Sequence, residues 1–404
     1  MKILQVIPDL AANTGGPVTA AMGLAEALEC AGHSVTIATT DYEYRPGVSE
    51  SNTLDIRTFK TYLPFWRLAP GLNDFLRQNV KHYEMVLIAS LWQYPTCIAA
   101  RACRRAGVPY VVSTNGMLDP WCLRQSAWKK SPYLGLIEGA TLRGAAGLHA
   151  TSEAECVNSR MAAWNEWPFV LPLGLRRAAF EPLPSRTAFA QRFTALADRR
   201  YVLFLGRLHY KKQPEVLVRA FARVARQRSE LRLVMAGPGT ASYIESLTNL
   251  ATELGIADQT IFTGMLQGSA AMEALRGADV FCLPSLHENF GIAVAEAMAM
   301  ECPVLISDQV ALASEVMAAQ AGVVSAPDVE ATATALATLL EDESLRQRMG
   351  RNGRALVVER FTWQSAAQAF VGIFEDILAG TRNSPAWRRG CSITRSRSVA
   401  TVNR

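Results

Sequence analysis

The sequence predicts an α/β protein built of two doubly wound domains in tandem. Short aliphatic and β-branched runs alternate with alanine-rich stretches of helical period; each half opens on such a run followed by a glycine-bearing loop; and a proline-rich pause divides the halves. The 404 residues, half of them apolar, allow about two to three domains at roughly 150 residues each.

The first run, from Lys2 to Ile7, stops at Pro8-Asp9, and a polar loop leads through Gly15-Gly16 to Pro17, where a helix can begin. Val18, Ala21, Met22, Ala25 and Leu28 then recur at helical spacing until Gly32-His33 ends the pattern before Val35-Thr36-Ile37. Runs at Met85 to Ile88 and Tyr110 to Val112, with alanine-rich helices between, continue a mainly parallel sheet. From Pro168 to Pro184 the prolines and Gly174 interrupt regular structure, and we read this stretch as the interdomain passage. Tyr201 to Leu205 starts the second set, followed by a helix with Val216, Leu217, Ala220, Phe221 and Val224 on one face. Strands are expected at Leu231 to Met235, Thr260 to Thr263, Val280 to Leu283 and Val304 to Ile306. The expected boundaries are 1–172 for the first domain, 173–198 for the linker, 199–363 for the second domain and 381–404 for a tail. Two such domains place a cleft between the carboxyl ends of their sheets, where ligands bind in this architecture.

Composition narrows the function. No window reaches the 18 or so apolar residues a membrane-spanning helix needs, and the first run meets Pro8 too early to be a signal-peptide core. The eight cysteines are scattered without zinc spacing, which suggests a reducing cytoplasm and no structural metal. Net charge is +5, yet the tail from Thr381 to Arg404 holds six arginines and no acid, so the body is close to neutral and no nucleic-acid-binding face is expected. The serine-rich tail lacks apolar periodicity and reads as disordered.

Two stretches carry chemistry. In Pro284 to Met298, a strand ends near Leu283, a loop carries Glu288 and Gly291, and a helix from Ile292 carries Glu296 among alanines and Val294. Both carboxylates can then face one site, while the amides of Asn289, Phe290 and Gly291 present partial positive charge to an anion. The plain alternative, two glutamates on a solvated helix surface, sits poorly with Glu296 in so apolar a setting. The second stretch, Gly206-Arg207-Leu208 to Lys212, lies between the first strand and first helix of the second domain. Arg207 supplies a planar fork and Lys212 a point charge, together able to neutralise a diphosphate, although a solvated basic loop has the same composition.

Together these stretches resemble the retaining glycosyltransferases of family four (glycosyl transferases group 1), which have the GT-B fold of two Rossmann-like domains facing across a cleft. The likeness runs to about Gly380 and includes the Glu288/Glu296 pair with seven residues between them, the Gly206-Arg207-Leu208 loop with Lys212, Gly15-Gly16, Ala236-Gly237-Pro238-Gly239 and Phe262-Thr263-Gly264. The resemblance implies that Arg207 and Lys212 hold the donor diphosphate, Glu296 the ribose hydroxyls, and Glu288 with the Asn289 to Gly291 amides the transferred sugar. The catalytic set would be Glu288, Arg207 and Lys212, with Gly16 letting the N-terminal loop approach the diphosphate. A helix over 364–380, with Phe370, Ile373, Phe374 and Ile377, would cross back to the first domain. No tightly bound cofactor or metal is implied, and the donor substrate is a nucleoside-diphosphate sugar. The expected function is transfer of that sugar, with retention, to an acceptor hydroxyl of a carbohydrate or lipid-linked glycan, in surface or exopolysaccharide or glycolipid synthesis. Two positions depart from the pattern: Gln213 stands where glycine usually follows the lysine, and Asn115, an acceptor-side candidate, stands where the family often has histidine.

Other readings stay open. His33, His149, His209 and His287 have no ligand partners at metal spacing. Trp121 to Tyr133, aromatic and basic, could rest peripherally on the inner face of a membrane or pack as an acceptor-loop helix. Rival functions are a catalytically silent sugar-nucleotide-binding subunit and a nucleotide-sugar epimerase of related fold. A nicotinamide-dependent oxidoreductase lacks its G-x-G-x-x-G fingerprint here.

Overall fold

The computed structural model describes residues 1–11, 16–44, 54–125, 127–197, 199–226, 228–384 and 387. The chain divides into two compact units. One comprises Met1–Gly174 and the segment that begins at Trp363; the other comprises Leu175–Thr362.

The first unit is built on seven parallel strands: β1 (Lys2–Val6), β2 (Ser34–Thr40), β3 (Asp55–Phe59), β4 (Met85–Ala89), β5 (Tyr110–Ser113), β6 (Gly147–Ala150) and β7 (Pro168–Val170). Their spatial order is β3-β2-β1-β4-β5-β6-β7, so the winding direction reverses between β1 and β4. All five residues of β4 are buried, as expected for a central strand covered on both faces. One face packs Ile3, Leu87 and Val111 against helix α1 (Gly16–Cys30) and the helix Trp363–Ala379; the other buries Leu4, Val86 and Val112. The two helices meet at Gly23, where a Cβ would lie 2.1 Å from Trp363 Nε1, so only glycine admits the indole.

The second unit carries β8 (Arg200–Leu205), β9 (Leu231–Ala236), β10 (Thr260–Gly264), β11 (Val280–Leu283), β12 (Val304–Ser307) and β13 (Gly322–Ser325). Their order, β10-β9-β8-β11-β12-β13, repeats the reversal, here between the hydrogen-bonded neighbours β8 and β11. Buried Val202, Phe204, Phe281, Leu305 and Ile306 form its centre.

Three sequence expectations change. The proline-rich passage begins with a strand: Pro168–Val170 pairs in parallel with β6 at the sheet edge, where a proline at the first position forfeits no interior ladder bond. The 173–198 stretch is not a separate linker. The unit boundary falls at Gly174, and the chain beyond it buries Phe180, Phe189 and Leu196 in the second unit. Leu175 N–H donates to the Phe361 carbonyl at 2.8 Å, so the two ends of that unit lie bonded side by side.

The start of the tail is also ordered. Asp376 accepts from Thr381 Oγ1 (2.8 Å), Ser384 N (2.6 Å) and Trp387 Nε1 (2.9 Å), which holds its carboxyl below the usual range despite burial. Trp387 is only 5% exposed, edge-on to Phe169, and the Arg382 guanidinium lies 4.8 Å from both the Trp167 and Trp387 rings. One indole and one carboxylate supply the docking that a composition-based reading cannot weigh. The remainder of the expected disordered tail, 385–386 and 388–404, lies outside the described residues.

Candidate functional site

In the second unit the two loops singled out by sequence leave adjacent strands at the point where the winding reverses. β8 ends at Leu205 and feeds Gly206 to Lys212; β11 ends at Leu283 and feeds Pro284 to Gly291. Loops at the carboxyl ends of two such strands diverge and leave a crevice. Gly237, at φ 144°, closes the third side: a Cβ there would lie 1.9 Å from the Gly206 carbonyl oxygen, so glycine lets the loops after β8 and β9 touch.

Lys212 and Glu288 meet directly, Lys212 Nζ donating to Glu288 Oε1. The same carboxylate oxygen accepts from Ser285 Oγ at 3.2 Å. Ser285 is itself fully buried, and its carbonyl accepts from Ser307 Oγ on β12. The Glu288 backbone is fixed as well, its N–H donating to Gln309 O (3.2 Å) and its carbonyl accepting from Ala311 N (3.1 Å). Glu288 is thus anchored at both ends. Leu286 N–H donates to the Lys211 carbonyl (2.8 Å), tying the two loops together through the backbone.

Arg207 is exposed, and its guanidinium makes no hydrogen bond or ion pair among the described residues. His209 is a local cap: its Nδ1 accepts from Lys211 N at 3.3 Å and starts the short turn Tyr210–Lys212. Burial, then the neighbouring Arg207 and Lys211, lower its pKa and keep it an acceptor. Gln213, at φ 52° and ψ 45°, ends that turn and precedes the helix Pro214–Ala225. Its left-handed backbone is the conformation glycine adopts most easily, which accounts physically for the glycine usual at this position.

Glu296 lies in the helix Ile292–Ala299, which starts after Gly291 at φ 84°. Burial pushes its carboxyl up to about 7, and it has no hydrogen-bond partner among the described residues. Phe290 is buried edge-on against Phe361, 5.7 Å between centroids, and so stabilises the loop rather than presenting its ring.

The first-unit candidates sit on their own sheet. Gly16 begins α1 with open space around it, and its neighbour Gly15 is outside the described residues. Asn115 adopts φ 49° in the turn after β5. That turn hangs on Glu155, which the sequence reading missed: its buried carboxylate accepts from Thr114 Oγ1 (2.6 Å), Gly116 N (2.5 Å), Thr151 N and Thr151 Oγ1 (2.8 Å each). A glutamate in a Ser-x-x-Glu start is the one local signal, since Ser152 Oγ caps Glu155 N at 3.0 Å. His149 is structural, bonded to Ser113 Oγ and Leu171 O. Among the described residues no group of His, Cys, Asp and Glu could hold a metal ion, and no helix is long and apolar enough to cross a membrane.

These loops match known sequence families. Residues 185–356 match the glycosyl transferases group 1 pattern and residues 15–174 the glycosyl transferase 4-like domain. A D-inositol 3-phosphate glycosyltransferase of Kineococcus radiotolerans is 33% identical over 222 residues, 51% of this chain and 51% of that protein. An uncharacterized glycosyltransferase of Methanocaldococcus jannaschii is 30% identical over 179 residues, 44% of this chain and 45% of that protein. The chain spans about half the length of the curated relatives it matches. In fold it is similar to Anabaena HepE, solved with UDP and glucose, at a TM-score of 0.76 and 18% identity over 93% of this chain and 100% of that one. Sucrose-phosphate synthase of Thermosynechococcus elongatus gives 0.75 and 22% over 94% and 100%. With the two domain patterns covering successive halves and the GT-B fold shared along almost the whole length, the chain belongs to the family-four, group 1 glycosyltransferases.

Proposed function

We propose that this protein transfers a sugar from a nucleoside-diphosphate donor to an acceptor hydroxyl with retention of configuration. The observation that carries the reading is the Lys212–Glu288 pair at the winding reversal of the second unit, flanked by exposed Arg207 and partnerless, desolvated Glu296. A cation paired with a carboxylate beside a free guanidinium suits a charged ligand that exchanges one partner for another on binding. Arg207 and Lys212 take the diphosphate, Glu296 the ribose hydroxyls, and Glu288 with the amides of Asn289, Phe290 and Gly291 the sugar. The anomeric carbon–oxygen bond to the diphosphate breaks as the acceptor oxygen bonds to the same carbon. The departing phosphate oxygen, its charge stabilised by the two cations, receives the acceptor proton. No residue need then serve as general base, which suits asparagine at position 115, and the two cations supply stabilisation that a metal would otherwise give.

A glycan or lipid-linked acceptor in surface-polysaccharide or glycolipid synthesis fits an enzyme working in the cytoplasm at the inner face of a membrane. In support, the short helix Ala127–Tyr133 and the turn after it leave Trp128 77% and Leu136 82% exposed, with Pro132 between them at helical spacing. The Trp66 indole N–H donates to the Tyr133 hydroxyl (3.1 Å), bringing in the loop whose Phe65 is 76% exposed. The test is isothermal titration with UDP and UDP-glucose followed by product analysis. Binding without sugar release or transfer on any donor would reduce the protein to a nucleotide-sugar-binding subunit, and free altered sugar nucleotide would mark an epimerase.

A further inference from the structure

We propose that the first unit holds a binding site for a neutral hydroxyl group beneath α1, formed by the Gln5 carboxamide and the Ser113 hydroxyl. Gln5 lies in β1 on the face that packs against α1, and it is 1% exposed. Neither its Oε1 nor its Nε2 has a hydrogen-bond partner among the described residues. An amide in that position loses its water on folding and regains nothing, a state that buried polar groups rarely tolerate. Gln5 does not face packed side chains alone. It lines a cavity of about 20 Å³ together with Leu24 of α1, Ser113, Asn115, His149 and Trp363. That exceeds the roughly 10–15 Å³ needed for one water-sized guest.

The chemistry of the walls selects the guest. His149 Nε2 faces the Leu171 carbonyl at 2.8 Å, so that nitrogen carries the proton and Nδ1 is the acceptor. Ser113 Oγ, 2.6 Å from Nδ1, therefore donates its hydrogen to the histidine and keeps its lone pairs for the cavity. Burial holds His149 neutral by lowering its pKa, and among the described residues no Asp, Glu, Lys or Arg lines the space. The site thus offers a donor, from Gln5 Nε2, and acceptors, from Gln5 Oε1 and Ser113 Oγ, with no charge. An ion would be excluded by desolvation and an apolar group would leave the amide unmet, whereas a hydroxyl both donates and accepts. Water and the terminal hydroxyl of a polyol or sugar entering beside Asn115 share this chemistry. The inference is independent of the transferase reading.

The test uses crystals of the full chain, one set soaked in glycerol, with the Gln5→Leu variant treated alike. In the wild type a peak within hydrogen-bond distance of both Gln5 amide atoms is expected. An unchanged single-atom peak in both crystals identifies water, and its replacement by a glycerol hydroxyl identifies a site that exchanges with ligands. An empty cavity in both overturns the proposal, as does glycerol bound equally in the Gln5→Leu variant. Melting temperature gives a second reading. Gln5→Leu should melt at the same temperature or lower because it loses the guest; a rise of several degrees would show that the amide had been an orphan.

Discussion

The two sheets share one winding pattern, yet the loops at the carboxyl ends of their strands treat polar groups oppositely. In the first unit, the turn after β5 is closed on itself: Glu155 accepts four hydrogen bonds, His149 uses both ring nitrogens, and Asp9 pairs with Arg67 at 2.8 Å. In the second, the loops after β8 and β11 leave Arg207 exposed and Glu296 without a partner among the described residues, and they couple Lys212 to Glu288, which one further ion can separate. The same architecture therefore provides a self-satisfied frame in one place and a charged, incompletely satisfied site in the other. Polar groups that find all their partners within the fold mark structure; those held in place with bonding capacity to spare mark binding.

Substitutions can break this contrast, and the largest effect is expected in the frame. Glu155→Ala leaves the Thr114, Gly116 and Thr151 donors buried without an acceptor, which should cost about 3 kcal/mol or more at roughly 1–3 kcal/mol per orphaned group. Thermal unfolding should show the loss, while any folded fraction binds UDP with wild-type affinity. A variant as stable as wild type would remove Glu155 from the frame. Lys212→Ala should do the reverse, weakening UDP by about 10- to 150-fold, the range for a charged hydrogen bond, with little change in melting temperature. Unaltered titration isotherms for both Lys212→Ala and Arg207→Ala would take the pair out of the site.

Glu296 gives a pH signature of intermediate size. Its carboxyl is raised to about 7 by burial, and hydroxyl donors favour the ionised form, so affinity for UDP-glucose should rise as pH climbs from 6 to 8. The expected gain is roughly three- to tenfold, flattened in Glu296→Gln; equal slopes in both proteins would refute a hydroxyl-binding role. For stability the sign is opposite. A carboxyl with a raised folded pKa contributes most below its unfolded value near 4.5 and loses that contribution as pH rises through 7. Ser285→Ala, which removes one donor to Glu288, should lower kcat about three- to tenfold with donor KM nearly unchanged. A change confined to KM would assign the serine to binding instead. The smallest effect is a gain: Gln213→Gly relieves a left-handed backbone and should stabilise by about 0.5 kcal/mol, after the entropy that glycine costs. A lower melting temperature would mean that the Gln213 side chain, which bonds Tyr210 O at 2.8 Å, matters more than its backbone.

Much of this was legible from residues in sequence. Central strands announce themselves where both faces are buried, so β4, β11 and β8 after Arg200 read as unbroken apolar runs, and the interior of β1 is broken only by Gln5. The edge strands β3, β7 and β13 do not. Asp55–Phe59 is charged or polar at three of its five positions, Pro168–Val170 begins with proline, and Gly322–Ser325 is short and only partly covered. The loops with Arg207, Lys212, Glu288 and Glu296 were visible because a run of charge and glycine directly after a strand is a local pattern. Ser285 was not, since a serine two residues past a strand means nothing until the Glu288 carboxylate and Ser307 hydroxyl are seen on either side of it.

By itself the sequence determined the alternation of strands and helices, the tandem halves and the loops that carry the charged residues, because these follow from periodicity and turn chemistry within a few residues. The tertiary structure alone decided that Glu155 supports the turn at Asn115, that Trp387 docks on Asp376, that Gly23 makes room for Trp363, and that Gln5 faces a cavity with its amide unmet. Each depends on a partner far along the chain. The free energy of a buried polar atom or a close contact is set by what the fold brings beside it, which no local pattern contains.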